Sequence, residues 1–312
     1  MPKNLKQYAQ APTRLTGGHR LCPGCGEPTA VRQVLMATDK PVVAANATGC
    51  LEVSTTIFPY TAWNIPWMHI AFENAAATAS GIEAMYNSLK AQGNIPADAD
   101  YRFVAFAGDG GTYDIGLQAL SGAAERGHQF LYVCLNNEAY MNTGVQRSSA
   151  SPFGAHTTTS PSGTASSGKK AFPKDLTQIM AAHDIPYVAQ SISGRWRDLT
   201  AKAEKAFECG GPAFINVLTP CPLGWISDAS DIVAIAQMAA DCCVWPLYEV
   251  ENGEWKLTYN PKDKKVPVDE YLKLQGRFRH LFKGPEGEGV RAQIQEHVDA
   301  KWELLKRKCG VE

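Results

Sequence analysis

No apolar run in this 312-residue chain approaches the roughly 20 residues needed to span a bilayer, which excludes a transmembrane helix. The opening stretch, MPKNLKQYAQAPTRL, is polar and lacks the apolar segment of a secretory signal, so the cytosol is the expected compartment. Excess charge is missing too: 30 Lys and Arg stand against 31 Asp and Glu, a net charge of −1. No nucleic-acid or anionic-membrane partner is expected from that balance. The chain has no G-x-G-x-x-G and no Gly-Lys-Ser/Thr after a glycine loop, which disfavours a Rossmann dinucleotide site and excludes a P-loop. It also lacks the dense cysteine run of a ferredoxin and the two close cysteine pairs of a small zinc finger.

Nine cysteines are present, an odd number in a chain with no export signal, so ligation or burial is expected rather than a disulfide framework. Four of them occupy turns marked by Gly or Pro: Cys22 and Cys25 in LCPGCGEP, Cys50 in ATGCLE and Cys221 in TPCPLGW. One close pair and two distant single cysteines describe a thiolate site closed by the whole fold. Cys134, inside the apolar run FLYVCLNN, reads as a core thiol. Cys209, Cys242, Cys243 and Cys309 have no such turn setting.

The pattern from about residue 30 to 225 alternates helix and strand. Residues 30–40 read as a short helix, 41–49 as a buried strand and 70–90 as a packed helix. RFVAFA (102–107) is a continuous apolar run, the mark of a strand buried on both faces. A helix over 114–126 stopped by Gly127, and a strand at 129–136, complete a strand–helix–strand unit of the kind that builds parallel sheets. Helices at 175–184 and 196–208, a strand at Pro186–Ile192, and a strand at 212–220 ending at Cys221 follow. Residues 142–172 are a long Ser/Thr/Gly/Pro stretch inside this pattern, expected to be an ordered active-site loop rather than a linker. The fold class is therefore α/β, a mostly parallel sheet flanked by helices. Two regions are expected: 1–228 as the α/β unit, and 229–312 as an arm. In the arm, Asn252-Gly253 centres a β-hairpin and two amphipathic helices follow. The arm has too few apolar residues for a core of its own, so partner packing is expected of it.

Gly108-Asp109-Gly110-Gly111 directly follows one buried strand, and Asn136-Asn137 closes the next. Carboxyl ends of parallel strands are where open α/β sheets bind ligands. Glycines let backbone N–H groups approach a diphosphate, and a following helix adds a favourable dipole. An Asp carboxylate and an Asn carbonyl are hard oxygen ligands suited to Mg²⁺. A bare Gly-Asp-Gly is also a common turn; the pairing with Asn-Asn on the next strand is what makes it specific, and it resembles the thiamine diphosphate motif.

Cluster-type cysteines and this motif together resemble the beta subunits of 2-oxoacid:ferredoxin oxidoreductases, the pyruvate enzymes in particular. The resemblance spans roughly residues 12–228, through GGHRLCPGCGEP, NATGC, AWNIPWMHIAFENAAATASG, GDGGTYDIGLQALSGAAERGH, NNEAYMNTGVQRS and PCPLGW. It implies a thiamine diphosphate-binding fold and one 4Fe–4S cluster on Cys22, Cys25, Cys50 and Cys221, with a Cys₄ zinc site as the alternative. It implies Mg²⁺ held by Asp109, Asn137 and the carbonyl of Ala139. Glu27, Cys50, Gly108, Asp109, Gly110, Gly111, Asn137, Ala139, Tyr140 and Asn142 are the implied cofactor contacts, with Asn142 facing the substrate as the implied catalytic residue.

The implied reaction is oxidative decarboxylation of a 2-oxoacid, pyruvate first. Electrons would pass through the cluster to ferredoxin and coenzyme A would accept the acyl group. Oxalate, 2-oxoglutarate, branched-chain and aryl 2-oxoacids are the alternative substrates. Further alternatives are a non-redox decarboxylase and a cluster-bearing scaffold subunit without catalysis. The carboxylate that activates the aminopyrimidine is expected from a companion alpha subunit and further clusters from a ferredoxin-like subunit, so the expected assembly is a hetero-oligomer. Glu52 and Glu73 are local carboxylates with nothing to place them at the pyrimidine. His19, His69 and His128 read as structural polar residues. The Trp63–Trp67 stretch reads equally as channel lining or as an interface.

Overall fold

The computed structural model describes residues 4–311. Its strands are β1 (Val42–Ala47), β2 (Trp67–Ile70), β3 (Arg102–Gly108), β4 (Leu131–Asn136), β5 (Ser162–Gly163), β6 (Ser166–Ser167), β7 (Tyr187–Ile192), β8 (Ala213–Leu218), β9 (Tyr248–Glu251) and β10 (Glu254–Leu257). Eight of them form one sheet in the order β10-β9-β7-β8-β4-β3-β1-β2, and β5 and β6 pair separately. From β7 to β2 all pairings are parallel; β9 joins β7 antiparallel.

The central strands read as continuous apolar runs because both faces are covered. On β4, Leu131, Val133 and Leu135 pack into one core layer while Tyr132 and Cys134 pack into the other. The first layer lies under the helices Gly26–Met36 and Trp196–Glu208, the second under Ala75–Ala91, Leu117–Glu125, Ile232–Asp241 and Gly284–Lys308.

Several elements differ from the sequence expectation. The helix anticipated from 70 begins only at Ala75, because Trp67–Ile70 is drawn out as an edge strand on β1. The helix anticipated at 114 starts as a π-helical turn, Gly110–Ile115, and becomes α-helical at Leu117. Gly127, at φ 74°, follows its end as expected. Pro222–Trp225 and Ile232–Asp241 are helices that no period announced. The stretch 267–282 is divided into an α-helix, Val268–Lys273, and a 3₁₀ segment, Gly276–Phe282.

The hairpin lies where Asn252-Gly253 put it, with both turn residues at positive φ. Its first strand extends the main sheet. The apolar residues of 229–312 share the main core rather than forming their own: Val290, Ile294, Val298, Trp302 and Leu305 are all buried there. Among the described residues no helix is long and apolar enough to cross a membrane.

Candidate cofactor cleft and thiol site

Four adjacent strands, β1, β3, β4 and β8, point their carboxyl ends the same way. Each end launches one of the turns singled out above: Cys50 follows β1, Asp109 follows β3, Asn137 follows β4 and Cys221 follows β8. The close pair reaches the same place from outside the sheet. The helix Gly26–Met36 begins against the end of β8, where Gly26 N donates to Pro220 O at 3.2 Å.

Between these turns lies a cleft of about 450 Å³, open to solvent, lined among others by Glu27, Gly49, Cys50, Gly108, Gly110 and Gly111, and by Asn137 to Thr143 apart from Glu138. Asp109 is fully buried at its base. Its Oδ1 accepts from Asn137 N at 3.3 Å, and its Oδ2 accepts from Ser148 Oγ. Asn137 Nδ2 donates to Glu27 Oε1 at 2.9 Å. That leaves Asn137 Oδ1 and Glu27 Oε2 buried without a hydrogen-bond partner, and buried polar atoms are rarely left so. Burial pushes the Glu27 carboxyl up to about 7, and its hydrogen bond from Asn137 opposes this. Burial likewise pushes Asp109 up to about 7 against the bond from Ser148. Two desolvated acids and an unpartnered amide oxygen thus lie close together at this end of the cleft.

Tyr140 closes the cleft over Gly110. Its hydroxyl donates to Gly110 O at 3.1 Å, and a Cβ on Gly110 would stand 2.3 Å from the Tyr140 ring. Burial, followed by the neighbouring Asp114, pushes the Tyr140 phenol up to about 12. Ala139 is buried beside it. Asn142 is exposed at the mouth beside Cys50, where burial pushes the thiol up and the Asn142 amide opposes this only slightly.

Cys22 is exposed, and Cys25, Cys50 and Cys221 are half-buried free thiols. Burial pushes all three of the latter up, with Glu27 contributing to each and other thiols of the set among the remaining causes. Gly224 N donates to Cys221 Sγ at 3.3 Å. Among the described residues no three His, Cys, Asp or Glu side chains converge on the position of a single ion.

The remaining residues of the sequence reading fall elsewhere. Cys134, Cys242 and Cys243 are buried. His69 Nδ1 pairs with Glu52 at 2.6 Å and His128 Nδ1 with Glu83 at 2.9 Å. His19 lies 3.3 Å from Arg32. Trp63 stacks on Trp67 at 5.5 Å, and neither lines the cleft; both border a surface groove with Phe58 and Tyr60. The long loop is ordered and supports the cleft: Ser148 holds Asp109, and Ser151 Oγ donates to Glu138 O at 2.6 Å. Nothing marked Ser148 or Ser151 among the many serines of that stretch.

The family model for the C-terminal TPP-binding domain of thiamine pyrophosphate enzymes matches residues 47–217, the span that carries the cleft. Fold and match together define a thiamine pyrophosphate-binding enzyme domain. The chain is 50% identical to pyruvate synthase subunit PorB of Thermotoga maritima, over 98% of this chain and 96% of that one. It is 51% identical to pyruvate synthase subunit PorB of Methanocaldococcus jannaschii over 92% of its length and 95% of that chain's. Ketoisovalerate oxidoreductase subunit VorB of Pyrococcus furiosus is 40% identical over 100% of this chain and 99% of its own. A solved 2-oxoglutarate:ferredoxin oxidoreductase from Magnetococcus marinus shares the fold, with a TM-score of 0.53 at 22% identity over 76% of this chain and 81% of that one. The chain belongs to the 2-oxoacid:ferredoxin oxidoreductase family, among the subunits of which PorB and VorB are members. It is an enzyme chain that works with partner subunits, not a non-catalytic scaffold.

Proposed function

We propose that this chain is the thiamine diphosphate- and cluster-bearing subunit of an enzyme that oxidatively decarboxylates pyruvate and reduces ferredoxin, with coenzyme A taking the acyl group. The observation that carries the reading is the meeting of three strand-end turns, those after β1, β3 and β4, at one cleft whose buried oxygens, Asn137 Oδ1 and Glu27 Oε2, have no partner. These oxygens and the buried Asp109 fit a hard cation. Asp109, Asn137 and the Ala139 carbonyl would hold Mg²⁺. Gly108, Gly110 and Gly111 keep the floor of the cleft free of side chains where a diphosphate would lie.

When bound, thiamine diphosphate supplies a nucleophilic carbon for the keto group and an electron sink for the loss of CO₂. The chain's own residues orient, exclude water and carry electrons. Phe72, Tyr140 and Met141 wall the cleft. Asn142 presents an uncharged amide at its mouth, next to Cys50. Glu27 is the one carboxylate among the lining residues and sits at the metal end, bonded to Asn137. Activation of the aminopyrimidine is therefore assigned to a carboxylate of the partner subunit. The four thiols match the ligand number of a 4Fe–4S cluster, and Cys50, which lines the cleft, would bring it to the reacting centre.

Pyruvate rests on the relatives at about half identity. The VorB relative supports a second reading, a branched-chain 2-oxoacid. The test is a panel of 2-oxoacids assayed anaerobically on the whole complex by reduction of a low-potential dye with coenzyme A present. Pyruvate should give the highest kcat/KM; a higher value for 2-oxoisovalerate or 2-oxoglutarate would replace it. Cys50→Ala should abolish ferredoxin reduction, whereas a non-redox decarboxylase would keep its turnover.

A further inference from the structure

One buried cation belongs to neither the cleft nor the thiol set, yet touches the supports of both. Arg277, from the 3₁₀ segment Gly276–Phe282, is 2% exposed. Its Nη2 donates to Glu138 Oε2 in a buried ion pair, and Gln275 Oε1 accepts from its Nε and Nη2 at 2.9 and 2.7 Å. Its guanidinium lies 4.0 Å over the ring of Trp225.

These contacts join two loops. Glu138 stands between Asn137 and Ala139 and adopts φ 69°, a left-handed conformation that a non-glycine residue keeps only when its surroundings hold it. Trp225 closes the short helix that begins just after Cys221, and its Nε1 donates to Asn137 O at 2.8 Å. Side chains repeat the connection. Gly224 faces Met141 of the cofactor loop so closely that a Cβ would stand 2.1 Å from Met141 Sδ and 3.5 Å from Cys221 Sγ. The backbone repeats it again: Gly276 N donates to Ile226 O at 3.1 Å, and Arg277 O accepts from His156 N at 3.0 Å, tying in the long loop.

We infer that Arg277 is a positioning residue that locks the Asn137–Ala139 turn and the Cys221 turn into one rigid unit, so that the metal end of the cofactor cleft and the thiol site keep a fixed mutual geometry. The planar fork of arginine suits both tasks, pairing with the Glu138 carboxylate in its plane while stacking its face on Trp225. A lysine keeps the charge and loses the plane. Both ends of the coupling rest on the magnesium and cluster assignments proposed above.

The test uses the whole anaerobic complex carrying Arg277→Met, Arg277→Lys or Glu138→Gln. Three quantities are read: the Mg²⁺ concentration giving half-maximal turnover, the midpoint potential of the signal that Cys221→Ala removes, and the iron content. Arg277→Met should raise the Mg²⁺ requirement about 10- to 100-fold, the range for residues that support metal ligands, and should shift the midpoint potential while iron is retained. Arg277→Lys should fall between it and the wild type.

A merely structural role would lower thermal stability and leave the Mg²⁺ requirement and the potential where they were, which overturns the inference. Movement of only one of the two readouts overturns the coupling. Where Arg277→Met does not assemble, Arg277→Lys and Glu138→Gln decide by the same two readouts. A wild-type complex with no Mg²⁺-dependent turnover or no iron in this chain overturns the proposed function itself, and is seen before any variant is made.

Discussion

The cofactor cleft and the thiol site share one end of the sheet but are built on opposite plans. The cleft is assembled from neighbouring strand ends and rests on buried polar residues. Its side chains already hold one another, as in the chain of bonds from Ser148 to Asp109 and from Asn137 to Glu27. The thiol site is drawn from three separate stretches of sequence, and one of its thiols is exposed. A diphosphate site can be prepared by backbone and glycine alone; a thiolate site stays loose until its charge partner arrives. The difference teaches that the two sites should fail differently.

The largest effect belongs to the cleft. Asp109→Ala removes the buried carboxylate at its base and should lower turnover by more than about 100-fold, beyond the loss typical of supporting residues. Thiamine diphosphate binding, followed by fluorescence quenching, should fall with it while iron content stays the same. Loss of iron in that variant would break the separation of the two sites. Cys221→Ala is the converse. Ferredoxin reduction should disappear and iron should be lost, with thiamine diphosphate affinity changed by less than about threefold, under 1 kcal/mol.

Gly110→Ala sharpens the steric side of the comparison. A methyl group 2.3 Å from the Tyr140 ring must displace that ring, at about 1–3 kcal/mol of overpacking, measured as a lower Tm. Tyr140→Ala in the same chain should recover much of the loss.

A further effect is one of pH. In the cofactor-free chain Glu27 and Asp109 bind protons more tightly than their ordinary values of 4.5 and 3.8, each rising to about 7. The folded state thus holds more protons than the unfolded one between those limits, and stability must fall as pH rises from about 4 through 7. Thermal unfolding of the cofactor-free protein across that range should show the decline, and Glu27→Gln should lessen it, leaving the share due to Asp109. A rise over the same window would contradict the burial argument.

Much of this was readable because burial on both faces writes itself as unbroken apolar runs. β3, β4 and β8 were placed to within a few residues, and Asn252-Gly253 placed the hairpin. The placement of Asp109 and Asn137 at adjacent strand ends was readable because each directly follows a buried apolar run. Cys50 and Cys221 were singled out by their turns and by the family resemblance together, and both do follow strand ends of the sheet. The helix Ile232–Asp241 escaped because IVAIAQMAAD is apolar nearly all round and shows no period. The π-helical turn at Gly110–Ile115 escaped because no residue pattern distinguishes it from an ordinary helix start. Ser148, Ser151 and Arg277 were illegible for a different reason. Each acts through a partner far away in sequence, and only the folded chain brings them together.

The position of β8 has a consequence for how the protein is made. It lies between β7 and β4, yet it is the last parallel strand to be synthesised. Until residues 213–218 leave the ribosome, the largely apolar β4 has one unpaired edge, a ready template for pairing with another chain. Cys221 follows immediately behind it, so the fourth thiol arrives with the strand that seals the sheet. A ligand that needs all four thiols would therefore have to arrive late, on molecules whose sheet has already closed.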